Sequence, residues 1–455
     1  MATEVVEDIE RTAREALGLT ELRPGQRDAI AAVVAGRDTL VVMPTGAGKS
    51  AIYQTAGVLL QGLTIVVSPL IALQQDQVAA LAEGNAGRAA LLNSTLKRAE
   101  HADTLRDLTE GRIQFLFLAP EQLANEDTLA HLQAAQPALI VIDEAHCISA
   151  WGHDFRPEYL RLGGVIEQLG HPPILALTAT ASPPVREEIV ERLGMREPNI
   201  MVQGFDRPNI HLAVAGFSDA DEKRAALIER VIAAPKPGIV YAATRKHTEE
   251  VAAALGTEQV TAVAYHAGMA AGDRERAQEA FMSGEVDVIV ATTAFGMGVD
   301  KPDVRFVYHL DISASLDAYY QEIGRAGRDG EPAAAILFSY PDDLNLQRFF
   351  AGSGHVDAEQ IARVIAEVQQ ANAPLTIEGI SDKLDLSQMK VTAAIHGLED
   401  EGVVSLRPTG EITATASLPL DEVTESAAEA QENRRAFERS RLEMMRGYAD
   451  MRDCR

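Results

Sequence analysis

Between residues 39 and 177 the chain carries five apolar runs of four to six residues: TLVVM (39–43), TIVV (64–67), IQFLFL (113–118), ALIVI (138–142) and ILAL (174–177). Runs this short and this continuously apolar, closed by Pro, Gly, Asp or Thr, read as parallel strands buried on both faces. Segments of helical period lie between them, such as 70–83 and 98–110, so the first fold expectation is a doubly wound α/β sheet. The alternation then repeats beyond FDRPNI (205–210), with strands expected at 238–242, 260–264, 286–291, 304–308 and 334–338. Two α/β lobes leave a cleft between them, a natural place for a ligand.

After residue 350 the character changes. GSGH (352–355) opens a helix-rich stretch, DAEQIARVIAEVQQ, then LTIEGISDKLDLSQMKVTAAIHGLEDEG, then VVSLRPTGEITATA with a turn at Pro408-Thr409-Gly410. Helix, helix-turn-helix and hairpin is the order of a winged helix. Its second helix, expected from Ser387, carries only Lys390 against Glu399, Asp400 and Glu401, so a structural or protein-contact role stands level with DNA binding. An Arg/Glu-rich helix follows from 421. The expected divisions are therefore 1–204 and 205–350 for the lobes, 355–420 for the winged-helix-like domain and 421–455 for the terminal helix.

Composition excludes several classes. At 455 residues the chain exceeds one ordinary core. No apolar run approaches the roughly 20 residues of a membrane-spanning helix. MATEVVEDIERTAREALG lacks the basic start and apolar core of a secretory signal. Two cysteines, Cys147 and Cys454, cannot form a disulfide framework, which fits a reducing, cytoplasmic setting. The net charge of −26 argues against coating nucleic acid nonspecifically but leaves room for a local basic groove.

VVMPTGAGKS (41–50) lies between an expected strand and an expected helix, the setting of a phosphate-binding loop. Thr45, Gly46, Ala47 and Gly48 would wrap the phosphates with backbone N–H groups, Lys49 would reach the β- and γ-phosphates, and the Ser50 hydroxyl would hold Mg²⁺. Met43 stands where the general pattern has glycine. Ninety-four residues beyond Lys49, LIVIDEAH (139–146) ends a strand in two carboxylates. Asp143 is the expected second ligand of the metal and Glu144 the base for the attacking water. Alone, an Asp-Glu pair at a strand end reads better as a plain solvated turn; beside Lys49-Ser50 that reading recedes. QEIGRAGRDG (321–330) adds Arg325 and Arg328 on the second lobe, whose guanidinium groups are suited to the charge of a transferring phosphoryl group. The bland alternative pairs one of them with Asp317, Glu322 or Asp329.

Taken in order, these motifs resemble those of superfamily 2 helicases with two RecA-like lobes, and the finer resemblance is to the RecQ family. ELRPGQRDAI (21–30), SPLIALQQDQV (68–78), DEAHCISAWGHDFRPEY (143–159), ALTATAS (176–182), FDRPNI, YHAGM (265–269) and TTAFGMGVDKPDVRFV (292–307) carry it. The resemblance implies that Arg23 and Gln26 read the adenine, and that His146 and Gln321 link the nucleotide to the lobe interface. It also implies that Trp151, His153, Phe155 and Arg156 sense single-stranded DNA, in keeping with bases stacking on aromatic rings. Trp151 and Phe155 as plain core residues are the alternative. Ser68, Thr178, Thr244, His266 and Thr292 are expected to grip the strand. Three features depart from the family: Leu19 replaces the aromatic residue expected before the FRPGQ-like element, RLEMMRGYADMRDCR resembles the approach to a four-cysteine zinc module that does not follow, and the winged-helix-like segment lies before Cys454, whereas the family's winged helix follows the zinc module. One thiol builds no structural zinc site. Against the family pattern the expectation is a naturally short form or a shortened one.

The resulting expectation is an ATP- and Mg²⁺-dependent DNA helicase or translocase, monomeric, acting 3′ to 5′ on single strands and on single/double-strand junctions in repair and recombination. Two rivals remain, an RNA helicase and a nucleotide-gated DNA-binding module that hydrolyses ATP without unwinding.

Overall fold

The structure, a computed structural model, describes residues 2–69, 71–84, 86–93, 95–149, 156–296, 299, 301–353, 356–371, 373–400, 402–406, 411–415 and 420–451. The chain divides into two compact units, one formed by Met1–Asp311 with Asp317–Tyr340 and the other by Ile312–Leu316 with Pro341–Arg455.

The first unit holds both lobes. In lobe 1 the strands are β1 (Thr39–Val42), β2 (Thr64–Val67), β3 (Ala89–Leu92), β4 (Phe115–Leu118), β5 (Leu139–Ile142), β6 (Ile174–Thr178) and β7 (Asn199–Val202). They form one parallel sheet in the order β3-β4-β2-β5-β6-β1-β7. Alternate residues feed two cores. Leu40, Val42, Ile65, Val67, Ile140 and Ile142 face one layer of helices, while Val41, Met43, Val66, Leu139 and Val141 face the other. Burial on both faces is why these strands are apolar without interruption. Because β5, β6 and β1 are parallel neighbours, the loops leaving β1 and β5 emerge on the same edge, which brings the phosphate-loop motif and Asp143-Glu144 together.

Lobe 2 contributes β8 (Ile210–Gly216), β9 (Gly238–Tyr241), β10 (Ala262–Tyr265), β11 (Val288–Ala291), β12 (Phe306–His309) and β13 (Ala333–Ser339), a parallel sheet in the order β10-β11-β9-β12-β13-β8. The helix Leu316–Ile323 and the turns after it lead from β12 to β13 and carry Gln321, Arg325 and Arg328. Three strands go beyond the sequence expectation: β3, β7 and β8.

In the second unit the helices Asp343–Ser353, Ala358–Gln370, Ile377–Leu384 and Gln388–Asp400 precede an antiparallel hairpin of β14 (Val404–Leu406) and β15 (Ile412–Ala414), followed by the helix Leu420–Asp450. Val364, Ile380, Val391, Ile395, Leu398, Val403 and Ile412 pack into its core. The element order is that of a winged helix, and Lys390 spends its ammonium on the side chain of Gln360 at 3.3 Å. The expected turn at Pro408-Thr409-Gly410 and Cys454 lie outside the described residues. Among the described residues no helix is long and apolar enough to cross a membrane.

Candidate nucleotide site and nucleic-acid interface

The loop after β1 turns through Gly46 (φ 75°) and Gly48 (φ 77°), left-handed conformations that favour glycine, before the helix Lys49–Leu60 begins. Two residues brace it. The Gln26 amide donates to the carbonyls of Ala47 (3.0 Å) and Gly48 (2.8 Å), while its oxygen accepts the Arg23 N–H at 2.7 Å. The Arg23 guanidinium donates to the Gly46 carbonyl. Both residues implied to read the adenine are therefore engaged with the phosphate loop itself in this structure.

Lys49 points back into the loop, its ammonium donating to the Met43 carbonyl at 3.2 Å. Burial pushes its pKa below the ordinary lysine value, opposed by the nearby carboxylates of Glu144 and Asp143. Asp143 moves the other way, up to about 6, through burial and the adjacent Glu144 carboxylate, with Lys49 and the Ser68 hydroxyl partly offsetting them. Glu144 sits in left-handed backbone (φ 48°, ψ 47°), which turns the chain sharply off β5. Its carboxylate lies 3.3 Å from Nδ1 of buried His146, whose ring also reaches the Thr178 hydroxyl at 3.0 Å.

Lys49, Ser50, Thr45, Gly46, Gly48, Asp143, Glu144, Gln321, Arg325, Arg328 and Arg23 line one cavity of about 370 Å³. Arg325 is buried, with its guanidinium beside the Tyr241 hydroxyl. Arg328 packs its aliphatic stem over Gly46, where an added Cβ would lie 3.3 Å from Arg328 Cγ. A second cavity of about 550 Å³ opens beside the first and is lined by Arg23, Ala47, Arg207, Asn209 and Arg328.

The residues expected to grip a strand are more dispersed. Ser68 is buried and gives its hydroxyl hydrogen to Asp143 at 3.3 Å. Thr178 is buried, donating to the Thr180 carbonyl, and His266 is buried with its Nε2 on Glu249 at 3.1 Å. These three side chains are held by their own lobes. Thr244 caps the helix Arg245–Thr257 through the His247 N–H, and Thr292 accepts from the Ala294 N–H. Arg156 donates to the Pro69 carbonyl at 3.3 Å, tying the sensor-loop motif to the SPL motif. Trp151, His153 and Phe155 lie outside the described residues.

A phosphate loop on one lobe facing an arginine pair on the other defines the class of two-lobe nucleotide-driven motors. Residues 23–189 match the family of DEAD/DEAH box helicases and residues 222–330 the conserved C-terminal domain of helicases. The chain is 42% identical over 363 residues to a probable ATP-dependent DNA helicase RecS of Bacillus subtilis, covering 80% of this chain and 73% of the relative. It is 43% identical over 328 residues to the ATP-dependent DNA helicase RecQ of Pasteurella multocida, covering 72% of this chain and 51% of that one. The fold matches that of Mycobacterium smegmatis helicase Lhr, solved with ssDNA and AMP-PNP, with a TM-score of 0.57 and 19% identity over 94% of this chain and 61% of Lhr. The chain belongs to the RecQ family of ATP-dependent DNA helicases. It spans about half the length of the RecQ relatives it matches.

Proposed function

We propose that this chain hydrolyses ATP to move along single-stranded DNA in the 3′ to 5′ direction and so separates duplexes at single/double-strand junctions. One observation carries the reading: Arg325 and Arg328 of lobe 2 line the same cavity as Lys49, Ser50, Asp143 and Glu144 of lobe 1. Lys49 and the loop N–H groups hold the β- and γ-phosphates, and Glu144 accepts the proton of the attacking water. Arg325 and Arg328 meet the charge on the γ-phosphoryl oxygens, so turnover is tied to closure of the cleft.

The residues present fit Mg²⁺. Ser50 and Asp143 would hold it, since their donors are hard oxygens and the paired Asp143 and Glu144 carboxylates, whose proximity together with burial raises Asp143 to about 6, favour a cation between them and the phosphates. The ion would neutralise charge on the β- and γ-phosphates.

The Arg156 guanidinium and the aromatic residues Trp151 and Phe155 of the same motif supply a cation and stacking faces for single-stranded DNA. A rate assay on the full chain tests this reading: single-stranded DNA should raise ATP turnover, and a 3′-tailed DNA duplex should be unwound while a matched RNA duplex is not. Glu144→Gln should bind nucleotide and fail to turn it over. Trp151 is the only tryptophan, so its fluorescence should respond to single-stranded DNA and not to blunt duplex. Turnover indifferent to DNA would overturn the reading; stimulated turnover without strand separation would favour a gated binding module.

A further inference from the structure

The FDRPNI motif between the lobes is built into the site through hydrogen bonds that the hydrolytic roles above leave unused. Arg207, between β7 and β8, donates from Nη1 to the carbonyls of Thr45 (3.1 Å) and Gly324 (3.2 Å). Its Nη2 donates to the carbonyls of Ala326 (2.8 Å) and Gly327 (3.0 Å). One acceptor thus belongs to the phosphate loop of lobe 1 and three to the segment that bears Arg325 and Arg328. Asn209 adds two bonds to the same segment, from Nδ2 to the carbonyls of Gly327 (2.8 Å) and Glu331 (3.0 Å). The fit around Gly327 is close. Its φ is +53°, and a Cβ there would stand 2.5 Å from Asn209 Nδ2. Tyr320 closes the set by donating to the Phe205 carbonyl at 2.8 Å with its ring edge-on to Phe205.

All four acceptors of Arg207 are neutral carbonyls, and its surroundings already hold Arg328 and Arg23 on the wall of the same cavity. Burial pushes its pKa below the ordinary arginine value, and those two cations act in the same direction. The same wall also carries Asp206 and Asp329, yet all four hydrogen bonds of the Arg207 guanidinium go to carbonyls and not to a carboxylate. What it offers is a rigid, planar fork able to span two loops at fixed separation.

We propose that Arg207, assisted by Asn209, is a positioning residue that sets the distance between the phosphate loop and the arginine-bearing segment, and that it acts on the transition state rather than on nucleotide binding. The inference rests on the reading of the cleft as an ATP-hydrolysing site. Lobe 1 contributes the loop, Lys49 and Gln26 whether or not the fork is present, so ground-state affinity should survive its loss. Arg328 works on charge that develops during transfer, so turnover should not.

The experiment is DNA-saturated ATP turnover of R207Q, R207K and N209A, with equilibrium titration of AMP-PNP and thermal unfolding of each variant. R207Q should lower kcat by about tenfold or more while the AMP-PNP affinity stays within about threefold. R207K should restore only part of kcat, because an ammonium cannot bridge both loops. On an R328A background R207Q should cost less than about threefold more, since it acts through that arginine. Unchanged kcat in R207Q overturns the proposal. So does a full multiplicative loss on R328A, and so does a joint fall of melting temperature, affinity and kcat, which marks a merely structural residue. A wild-type chain that fails to hydrolyse ATP removes the underlying reading instead.

Discussion

Gly324 of lobe 2 abuts the side chain of Thr45 in lobe 1 so closely that a Cβ built on the glycine would overlap the threonine hydroxyl. The Tyr320 carbonyl stands 3.1 Å from the same Cβ position, so the new methyl has no easy way aside. Gly324→Ala should therefore part the lobes where the arginine-bearing segment meets the phosphate loop. A misplacement of about 1 Å at a reacting centre costs on the order of a hundredfold in rate, which sets the expected loss of kcat. AMP-PNP affinity, dominated by lobe 1, should change much less. Wild-type turnover in this variant would show that the close approach is not needed.

Arg328 lies over Gly46 on the wall of the same cavity as Arg325, which is buried beside Tyr241. Removing an arginine that meets transition-state charge in other phosphoryl-transfer enzymes costs about 10³-fold or more in kcat. Arg328→Ala should lose at least that, with nucleotide binding retained. Single-turnover hydrolysis measures it, and a loss below about tenfold would place the charge stabilisation elsewhere.

Much of this arrangement is legible in the chain before folding, and the reasons for the gaps are physical. The central strands announce themselves because both faces are buried. β7 does not, since it is an edge strand of four residues with Ile200 and Val202 about half exposed. β8 is masked by Pro208 immediately upstream and by the small residues of IHLAVAG. Lys49, Asp143, Glu144 and the arginine pair stand out in the sequence because they sit in short motifs at the ends of elements, and the structure brings them to one cavity. Arg207 was not, because its partners are backbone carbonyls 117 to 162 positions away, and a carbonyl leaves no mark in a sequence. Ser68 and Thr178 give their hydroxyl hydrogens to partners in their own lobe and His266 Nε2 meets Glu249, bonds that leave no mark in the sequence, while His266 Nδ1 is buried without a hydrogen-bond partner among the described residues.

Arg156 offers a separate check on the DNA interface. Its backbone N–H bonds to the Cys147 carbonyl and its guanidinium to the Pro69 carbonyl, which ties it to the segments after β5 and β2. In a chain of net charge −26 a cation that meets phosphate should be visible in the salt dependence of binding. A single phosphate contact on single strands contributes about 0.7 to the slope of log affinity against log salt. Arg156→Ala should lower the slope by about that amount for single-stranded DNA. An unchanged slope with weaker binding would instead assign Arg156 a purely structural role.

The start of the helix Arg245–Thr257 provides a prediction about pH. Asp311 Oδ2 lies 3.0 Å from Nδ1 of His247 and accepts the Ala243 N–H at 2.8 Å, while Oδ1 is 3.5 Å from the Lys223 ammonium. The hydrogen bond to Asp311 raises the His247 pKa, against partial burial, with the charges of Asp311 and Glu250 adding to the rise and that of Lys223 opposing it. Asp311 is shifted downward: burial alone would raise it, but the bond to His247 and the Lys223 charge prevail. A histidine whose pKa is higher folded than unfolded contributes stability that is fully present below the unfolded value of about 6.5 and fades as pH climbs through the folded one. Asp311 stays ionised throughout that range, so it does not compete. His247→Ala should therefore cost more stability at pH 6 than at pH 9, measured by urea unfolding of variant and parent at each pH. An equal cost at both would mean that the imidazole is not charged against Asp311 in the folded protein.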